Sequence, residues 1–164
     1  MIEPAPRLRR PTEEDHGALT AAAEAWLGER RPRPILPRRW LRDFAGTSWL
    51  AEEVGGTPIG FAVAYHAPGR AEEAALVTLA VAPSARRRGI GRALVDQVAA
   101  DARAAGRGRI VAVVWPGDPV CLRFLRALGF VAEAGHGSQR LYGIDAFADY
   151  DGPGEDRAIL TLEL

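Results

Sequence analysis

The sequence predicts an α/β fold in which strands and helices alternate along the chain. Short apolar runs alternate with stretches whose apolar residues recur at helical spacing, and turns rich in Gly and Pro separate them. The clearest unit is a strand, a helix and a strand across residues 73–115, and a crossover of this kind makes its two strands parallel. The length of 164 residues predicts one domain, 1–164, because such a chain encloses a sizeable core without splitting.

The first part of the chain is predicted to contain helices and strands in alternation. Thr12, followed by a run of acidic residues, is typical of a helix N-cap and starts a helix that ends near Leu27. Prolines interrupt the arginine-rich stretch 30–34, which is therefore predicted to be a loop before a short helix over 37–44. Strands are expected over 7–9, 48–53 and 59–65.

The second part continues the alternation and then ends in strands. A buried strand over 73–81 stops before Pro83, and the apolar residues of 89–105 fall on one helical face. A strand over 109–115 and a helix over 118–128 follow. Later strands are expected over 130–134, 139–144 and 157–163.

The turn between the strand 73–81 and the helix 89–105 is the most informative feature. Residues 81–94 read Val-Ala-Pro-Ser-Ala-Arg-Arg-Arg-Gly-Ile-Gly-Arg-Ala-Leu, with two glycines and four arginines. Backbone N–H groups in the first turn of a helix have no partner within it, and the helix dipole adds to their attraction for anions. The turn is therefore predicted to hold a phosphorylated cofactor. Local physics alone leaves open an ordinary left-handed turn with a solvated basic rim.

Two segments together resemble the GCN5-related N-acetyltransferase (GNAT) family. The run Val-x-Pro-x-x-Arg-x-x-Gly-Ile-Gly-x-x-Leu that begins at Val81 is similar to the acetyl-CoA motif of that family. The helix over 118–128, followed by Gly129 and Phe130, is similar to its later helix, and the resemblance spans roughly residues 46–134. It implies a mixed, mostly antiparallel sheet of about seven strands, flanked by helices, whose central parallel pair splays into a V.

The resemblance also implies acetyl-CoA as cosubstrate and no metal. The pantetheine arm is expected in the V, beside a β-bulge near Leu79, with its amides paired to backbone groups of Leu79 and Val81. The N–H near Leu79 or Ala80 would polarise the thioester carbonyl, as in an oxyanion hole. The residues expected to bind the cosubstrate are Leu79, Ala80, Val81, Arg86, Arg87, Arg88, Gly89, Ile90, Gly91, Arg92 and Asp118.

The implied reaction is direct attack of a neutral amine on the thioester, which requires a base or a water chain. Leu125 stands where many members have a tyrosine that protonates the thiolate, and Ala75 stands where some have a glutamate base. Glu73 shares the strand parity of Ala75 and is the candidate catalytic residue, acting through water. The alternative is an exposed carboxylate at a strand end. Asp118, at the asparagine position of the family, is also a good N-cap residue.

Composition limits the partners. The formal net charge of zero gives no indication of a nucleic-acid partner, and no apolar run reaches membrane length. The three histidines lack metal-ligand spacing, and the single cysteine, Cys121, excludes an intramolecular disulfide. Without a signal-peptide core at the N-terminus, the protein is predicted to be cytoplasmic. The sequence leaves open whether the protein forms a homodimer.

The acceptor amine is not identified by any residue. The acidic segment 149–156 is expected to be a loop that is either simply solvated or attracts a cationic amine, whereas the arginine-rich stretch 30–39 favours an anionic acceptor. The leading function is an acetyl-CoA-dependent N-acetyltransferase acting on a primary amine of a small molecule or a protein. An acyl-CoA sensor without turnover and a transferase for a longer acyl group are the alternatives, and the missing tyrosine and glutamate keep the sensor open.

Overall fold

The computed structural model describes residues 5–27 and 36–164; the loop predicted over 30–34 lies outside them. The strands are β1 (Arg7–Arg9), β2 (Trp49–Glu52), β3 (Pro58–His66), β4 (Glu73–Val81), β5 (Arg109–Val114), β6 (Val131–Ala132), β7 (Gln139–Leu141), β8 (Ile144–Ala146) and β9 (Ala158–Glu163). The helices are α1 (His16–Leu27), α2 (Arg38–Asp43), α3 (Ile90–Ala104) and α4 (Pro119–Ala127). No helix in these described parts is long and apolar enough to cross a bilayer.

The main sheet has seven strands in the order β1-β2-β3-β4-β5-β9-β6, which confirms the predicted fold class. Its neighbours are antiparallel except for β4 and β5, which run parallel. These two strands pair only through residues 73–76 and 109–112, although both continue beyond them. They part towards their C-terminal ends and leave a gap beside the turn that follows β4, as the resemblance implied.

One extra residue in β4 marks the place where the two strands part. β3 and β4 pair Val63 with Thr78 but Ala64 with Leu76, so Val77 has no partner in this register. A bulge of this kind leaves the pairing intact on both sides while it increases the local twist. The bulge expected near Leu79 therefore lies earlier in the strand, at Val77.

The bulge also changes which face of the sheet each β4 side chain occupies. Leu76 and Leu79 both pack in the cluster formed with α3 and α4, although an odd separation normally places two strand residues on opposite faces. Val77 and Ala80 pack in the other cluster, beneath α1 and α2. The two faces of β4 thus meet different helices at the point where the gap opens.

The single strand predicted over 139–144 is wrong, because the chain reverses within it. Tyr142 and Gly143 have φ values of 52° and 80°, as the central residues of a tight two-residue hairpin do. β7 and β8 pair across this turn as a hairpin separate from the main sheet. Tyr-Gly lacks the Asn-Gly or Asp-Gly signal on which hairpin prediction depends. The other predicted strands and helices in the described chain are present, with ends that differ by a few residues.

Candidate active site

The predicted anion site is a turn at the wide end of the gap. A short 3-10 turn, Pro83–Ala85, leads to Gly89, which precedes α3 in the left-handed conformation (φ 79°, ψ 0°). No side chain of the described residues caps α3, so its first N–H groups remain available to an outside acceptor. A Cβ at Gly89 would meet nothing within 4 Å, so the space there is open. Ile90, the first residue of α3, is only 2% exposed and packs in the core.

Two arginines of the turn are hydrogen-bonded to helix ends. Arg86 donates from Nε to the carbonyl oxygen of Val81 (3.1 Å) and from Nη2 to that of Trp26 (2.9 Å), in the last turn of α1. Arg92 donates to the carbonyl oxygen of Ala127, the last residue of α4, at 3.3 Å. Carbonyls at helix C-termini lack partners within the helix, so these guanidiniums satisfy them from outside. The sequence predicts both as cosubstrate-binding residues, and these hydrogen bonds already occupy part of each guanidinium.

The other two arginines of the turn differ in whether they have a carboxylate partner. Arg88 lies 3.5 Å from a carboxylate oxygen of Glu53, which follows β2. Arg87 is exposed, has φ 65°, and forms no hydrogen bond or ion pair within the described chain. A positive φ is uncommon for a residue with a side chain and is often found at functional sites. Arg87 is therefore the guanidinium of the turn that is most available to a phosphate.

Gly91 permits a close approach of α3 and α4. A Cβ at this position would lie 3.0 and 3.1 Å from two ring atoms of Phe124 and 3.7 Å from Val81 Cγ2. Any side chain here must therefore displace the ring of Phe124. The sequence predicts Gly91 only as a cosubstrate-binding residue; its packing role depends on Phe124, 33 positions further along the chain.

Asp118 is the N-cap of α4. Its Oδ1 accepts hydrogen bonds from the backbone N–H groups of Val120 (3.1 Å) and Cys121 (3.0 Å). The capping interpretation is confirmed, whereas cosubstrate binding by Asp118 stays a prediction.

Removal of this cap is expected to destabilise the protein. Asp118→Ala should lower the free energy of unfolding by about 1 kcal/mol, because two N–H groups of α4 lose their acceptor. Asp118→Asn retains a capping oxygen, so its loss of unfolding free energy should be only a few tenths of the loss for Asp118→Ala. Chemical denaturation of both variants measures the difference. An equal loss in the two variants would mean that the charge of Asp118, rather than its cap, is what stabilises the fold.

Glu73 lies at the closed end of the gap, where β4 and β5 are still paired. It is 8% exposed, so the expectation of an exposed strand-end carboxylate is wrong. Its Oε1 accepts a hydrogen bond from Arg109 Nη2 at 2.7 Å and lies 3.4 Å from Arg70 Nη1. The hydrogen bond from Arg109 to this carboxylate raises the pKa of the guanidinium. Glu73 lies four positions before Val77, and this distance is about 13 Å along an extended strand.

The remaining candidate acids and bases do not converge on the gap. Leu125 is 2% exposed, so the core occupies the place of the missing tyrosine. His66 ends β3 and pairs with Ala74 at the closed end, where burial and then the charge of Arg107 lower its pKa. Within the described residues, no group of three or more His, Cys, Asp or Glu side chains could hold a metal.

The four carboxylates of the acidic loop over 149–156 have partners within the loop and in Arg157. Arg157 pairs with Asp151 at 2.7 Å and with Glu155 at 2.6 Å. The carboxylates of Asp149 and Asp156 accept backbone N–H groups of the same loop. Such contacts weaken the attraction that this loop would exert on a cationic amine.

A groove of about 550 Å³ lies beside α4. Arg123, Arg126 and Tyr142 line it together with Leu122 and the loop before α4. Asp118 lies in the chain between two of its lining residues, Gly117 and Pro119. The other predicted cosubstrate residues belong to β4, to the turn that follows it and to the start of α3.

Known proteins with similar sequences carry out acetyl transfer. The model of the family described as "Acetyltransferase (GNAT) family" matches residues 12–130. An L-2,4-diaminobutyric acid acetyltransferase of Nocardia farcinica is 29% identical over 114 residues, which cover 70% of this chain and 58% of that relative. The chain thus spans less than two thirds of the length of this curated relative.

Solved structures match over almost the whole chain. Ard1 from Thermoplasma volcanium superposes with a TM-score of 0.76 at 19% identity and covers 98% of this chain and 99% of its own. The structure of yncA from Salmonella typhimurium with its cofactor acetyl-CoA has a TM-score of 0.72 at 20% identity and covers 98% and 95%. At this level of identity the similarity shows the fold.

Proposed function

Because the chain belongs to the GNAT family of acetyltransferases, we propose that it transfers an acetyl group from acetyl-CoA to a primary amine. The observation that carries the proposal is the gap between β4 and β5, with an uncapped helix N-terminus at its wide end and a bulge where it begins. A long, flexible ligand that ends in phosphates suits this arrangement, because backbone donors meet it at both ends.

The proposal divides the predicted residues into two groups. The backbone N–H groups of Gly89, Ile90 and Gly91 bind the pyrophosphate, and the guanidinium of Arg87 adds a charged contact. Leu79, Ala80 and Val81 line the gap with their backbone and meet the pantetheine arm. The thioester then lies near the bulge, where an N–H of Val77 or Thr78 donates to its carbonyl oxygen.

The chemistry at the bulge is addition followed by elimination. The amine nitrogen attacks the thioester carbon, and the developing oxyanion accepts the backbone hydrogen bond. The C–S bond then breaks, coenzyme A leaves as a thiolate, and the amine proton passes to water. Since Leu125 offers no proton, positioning and oxyanion stabilisation supply most of the rate.

For the acceptor we propose a small amino acid with a second amine as the first class to test. The support is the printed activity of the Nocardia relative, an L-2,4-diaminobutyric acid acetyltransferase.

Thiol release from acetyl-CoA in the presence of a broad amine panel tests the proposed activity. The expected result is amine-dependent release together with the acetylated amine by mass spectrometry. Acetyl-CoA binding without release for any amine would instead support the sensor alternative. Faster release from a longer acyl-CoA would support the other transferase.

The role of Glu73 as base stays a prediction, and Glu73→Gln separates it from a structural role. We expect a lower melting temperature, because Arg109 loses its charged partner. A base acting through water predicts in addition a loss of kcat/KM of about tenfold to a hundredfold, which shrinks as the pH approaches the pKa of the amine. An unchanged pH profile at lower stability would remove Glu73 from the chemistry.

Arg87 is expected to carry most of the salt dependence of coenzyme A binding. Arg87→Gln should flatten the decrease in affinity with rising salt, because it removes an exposed charge near the phosphates. Calorimetry with coenzyme A and with dephospho-coenzyme A shows whether the lost contact is to the 3′-phosphate. Arg103→Gln is the matched control, since Arg103 lies in the last turn of α3, at the opposite end of that helix from the turn that contains Arg87. Equal slopes in both variants would contradict the assignment.

Three further properties remain predictions of the sequence: the single domain over 1–164, the cytoplasmic location and the homodimer. Sedimentation at several protein concentrations tests the homodimer. Limited proteolysis tests whether the chain behaves as a single unit.

A further inference from the structure

We propose that Arg86 is a positioning residue that links the cosubstrate turn to α1 and, through α1, to the bulge; this rests on the proposed function. Arg86 belongs to the turn at the end of β4, whereas α1 covers the opposite face of the sheet from α3. One side chain therefore connects the element that binds phosphates to the helix that packs over the reacting end of the gap.

The geometry of the Arg86 side chain carries the proposal. Its Nη2 donates to the carbonyl oxygen of Trp26 at 2.9 Å, and its Nε donates to that of Val81 at 3.1 Å. Guanidinium N–H groups diverge in a rigid plane, so the two hydrogen bonds fix the end of α1 relative to the end of β4. The last turn of α1 contains no basic residue of its own that could serve its carbonyls.

The end of α1 is in turn coupled to the bulge by packing. Trp26 packs against both apolar clusters, and its ring centroid lies 6.2 Å from that of Phe61 on β3. Val77, the bulge residue, packs against the same cluster as α1. A displacement of the end of α1 would therefore change the environment of the bulge, because packed interiors transmit strain.

A ligand that orders the turn would order Arg86 and, with it, the end of α1. Coenzyme A binding is therefore expected to slow amide hydrogen exchange over residues 23–27. It should also favour acceptor binding, because the ordered α1 packs in the same cluster as the bulge at which the amine reacts. The acceptor should then favour coenzyme A binding by the same factor.

The test is Arg86→Gln in the full chain. We expect the KM for the amine to rise about tenfold, a typical size for coupling between two sites, while the Kd for acetyl-CoA changes less than about twofold. Coenzyme A should no longer protect residues 23–27 from exchange. Arg86→Lys should restore part of both effects, because an ammonium can still donate to one carbonyl.

Arg87→Gln is the matched control from the same turn. It should weaken coenzyme A binding but retain protection of residues 23–27 when the ligand is saturating. If Arg86→Gln instead weakens coenzyme A and leaves the amine KM unchanged, Arg86 is a phosphate ligand and the proposal is overturned. If it lowers only the melting temperature, the side chain is merely structural.

Failure of the proposed function would be distinguishable from failure of this proposal. A wild-type protein that acetylates no amine contradicts the function, yet hydrogen exchange with coenzyme A alone still reports on Arg86. If protection over residues 23–27 is the same in wild type and in Arg86→Gln, Arg86 does not connect the turn to α1.

Discussion

Gly91→Leu should abolish detectable coenzyme A binding and destabilise the fold. A Cβ at Gly91 already lies 3.0 Å from the ring of Phe124, so the larger side chain must push apart α3 and α4. Overpacking of this kind costs about 1–3 kcal/mol. The displaced first turn of α3 would also lose hydrogen bonds to the pyrophosphate. Two such bonds to a charged group, at about 1.5–3 kcal/mol each, amount to a loss of affinity of at least about a hundredfold.

A double-mutant cycle with Phe124→Ala separates the two effects. Removal of the ring makes room for the leucine, so the double variant should be more stable than the sum of the single changes indicates. Its coenzyme A binding should recover as well, because the first turn of α3 is no longer displaced. Denaturation and calorimetry measure the two quantities. Binding that stays lost in a stable double variant would show that the leucine itself obstructs the pyrophosphate.

Deletion of Val77 should leave a folded protein that binds acetyl-CoA but transfers the acetyl group slowly. Val77 is the unpaired residue of β4, so its removal lets Leu76 and Thr78 continue the register with β3 and preserves the faces of the residues that follow. The strand becomes regular and loses the N–H that we propose as the donor to the thioester carbonyl. Loss of one oxyanion donor lowers kcat by about a hundredfold to a thousandfold.

Val77→Ala is the control for this deletion, because it shortens the side chain but keeps the bulge. It should retain kcat within a small factor, with a modest loss of stability from the smaller side chain. Stopped-flow or steady-state thiol release gives kcat, and calorimetry gives acetyl-CoA affinity. A deletion variant with normal kcat would place the donor to the thioester elsewhere. A folded deletion variant with normal kcat but no measurable affinity for acetyl-CoA would show that the bulge serves cosubstrate binding instead.

Much of the candidate site could be predicted because its signals are local. The strand that ends in Val81, the glycines at 89 and 91 and the apolar face of α3 are neighbours in sequence, and their spacing indicates a strand, a turn and a helix. The cap at Asp118 is equally local, since it acts on the two residues that follow Pro119. In each case the residue types and their spacing contain the whole interaction.

The partners of the charged residues could not be predicted in the same way. Glu73 and Arg109 lie 36 positions apart and meet because β4 and β5 are parallel neighbours. Arg86 reaches Trp26 across 60 positions. A pattern of charges along a chain contains no information on which side chains the fold will bring within hydrogen-bond distance, so neither of these two contacts follows from the sequence.

The sequence by itself determined the fold class, the parallel pair and the turn that opens α3, because hydrophobic periodicity and turn chemistry act over a few residues. Only the tertiary structure decided that the bulge lies at Val77, that the chain reverses at Tyr142, and that Glu73 is paired with Arg109. A bulge is defined by the register of a strand against its neighbour, and an ion pair by the distance between elements. The register and the distance are both determined only when separate segments of the chain pack against each other.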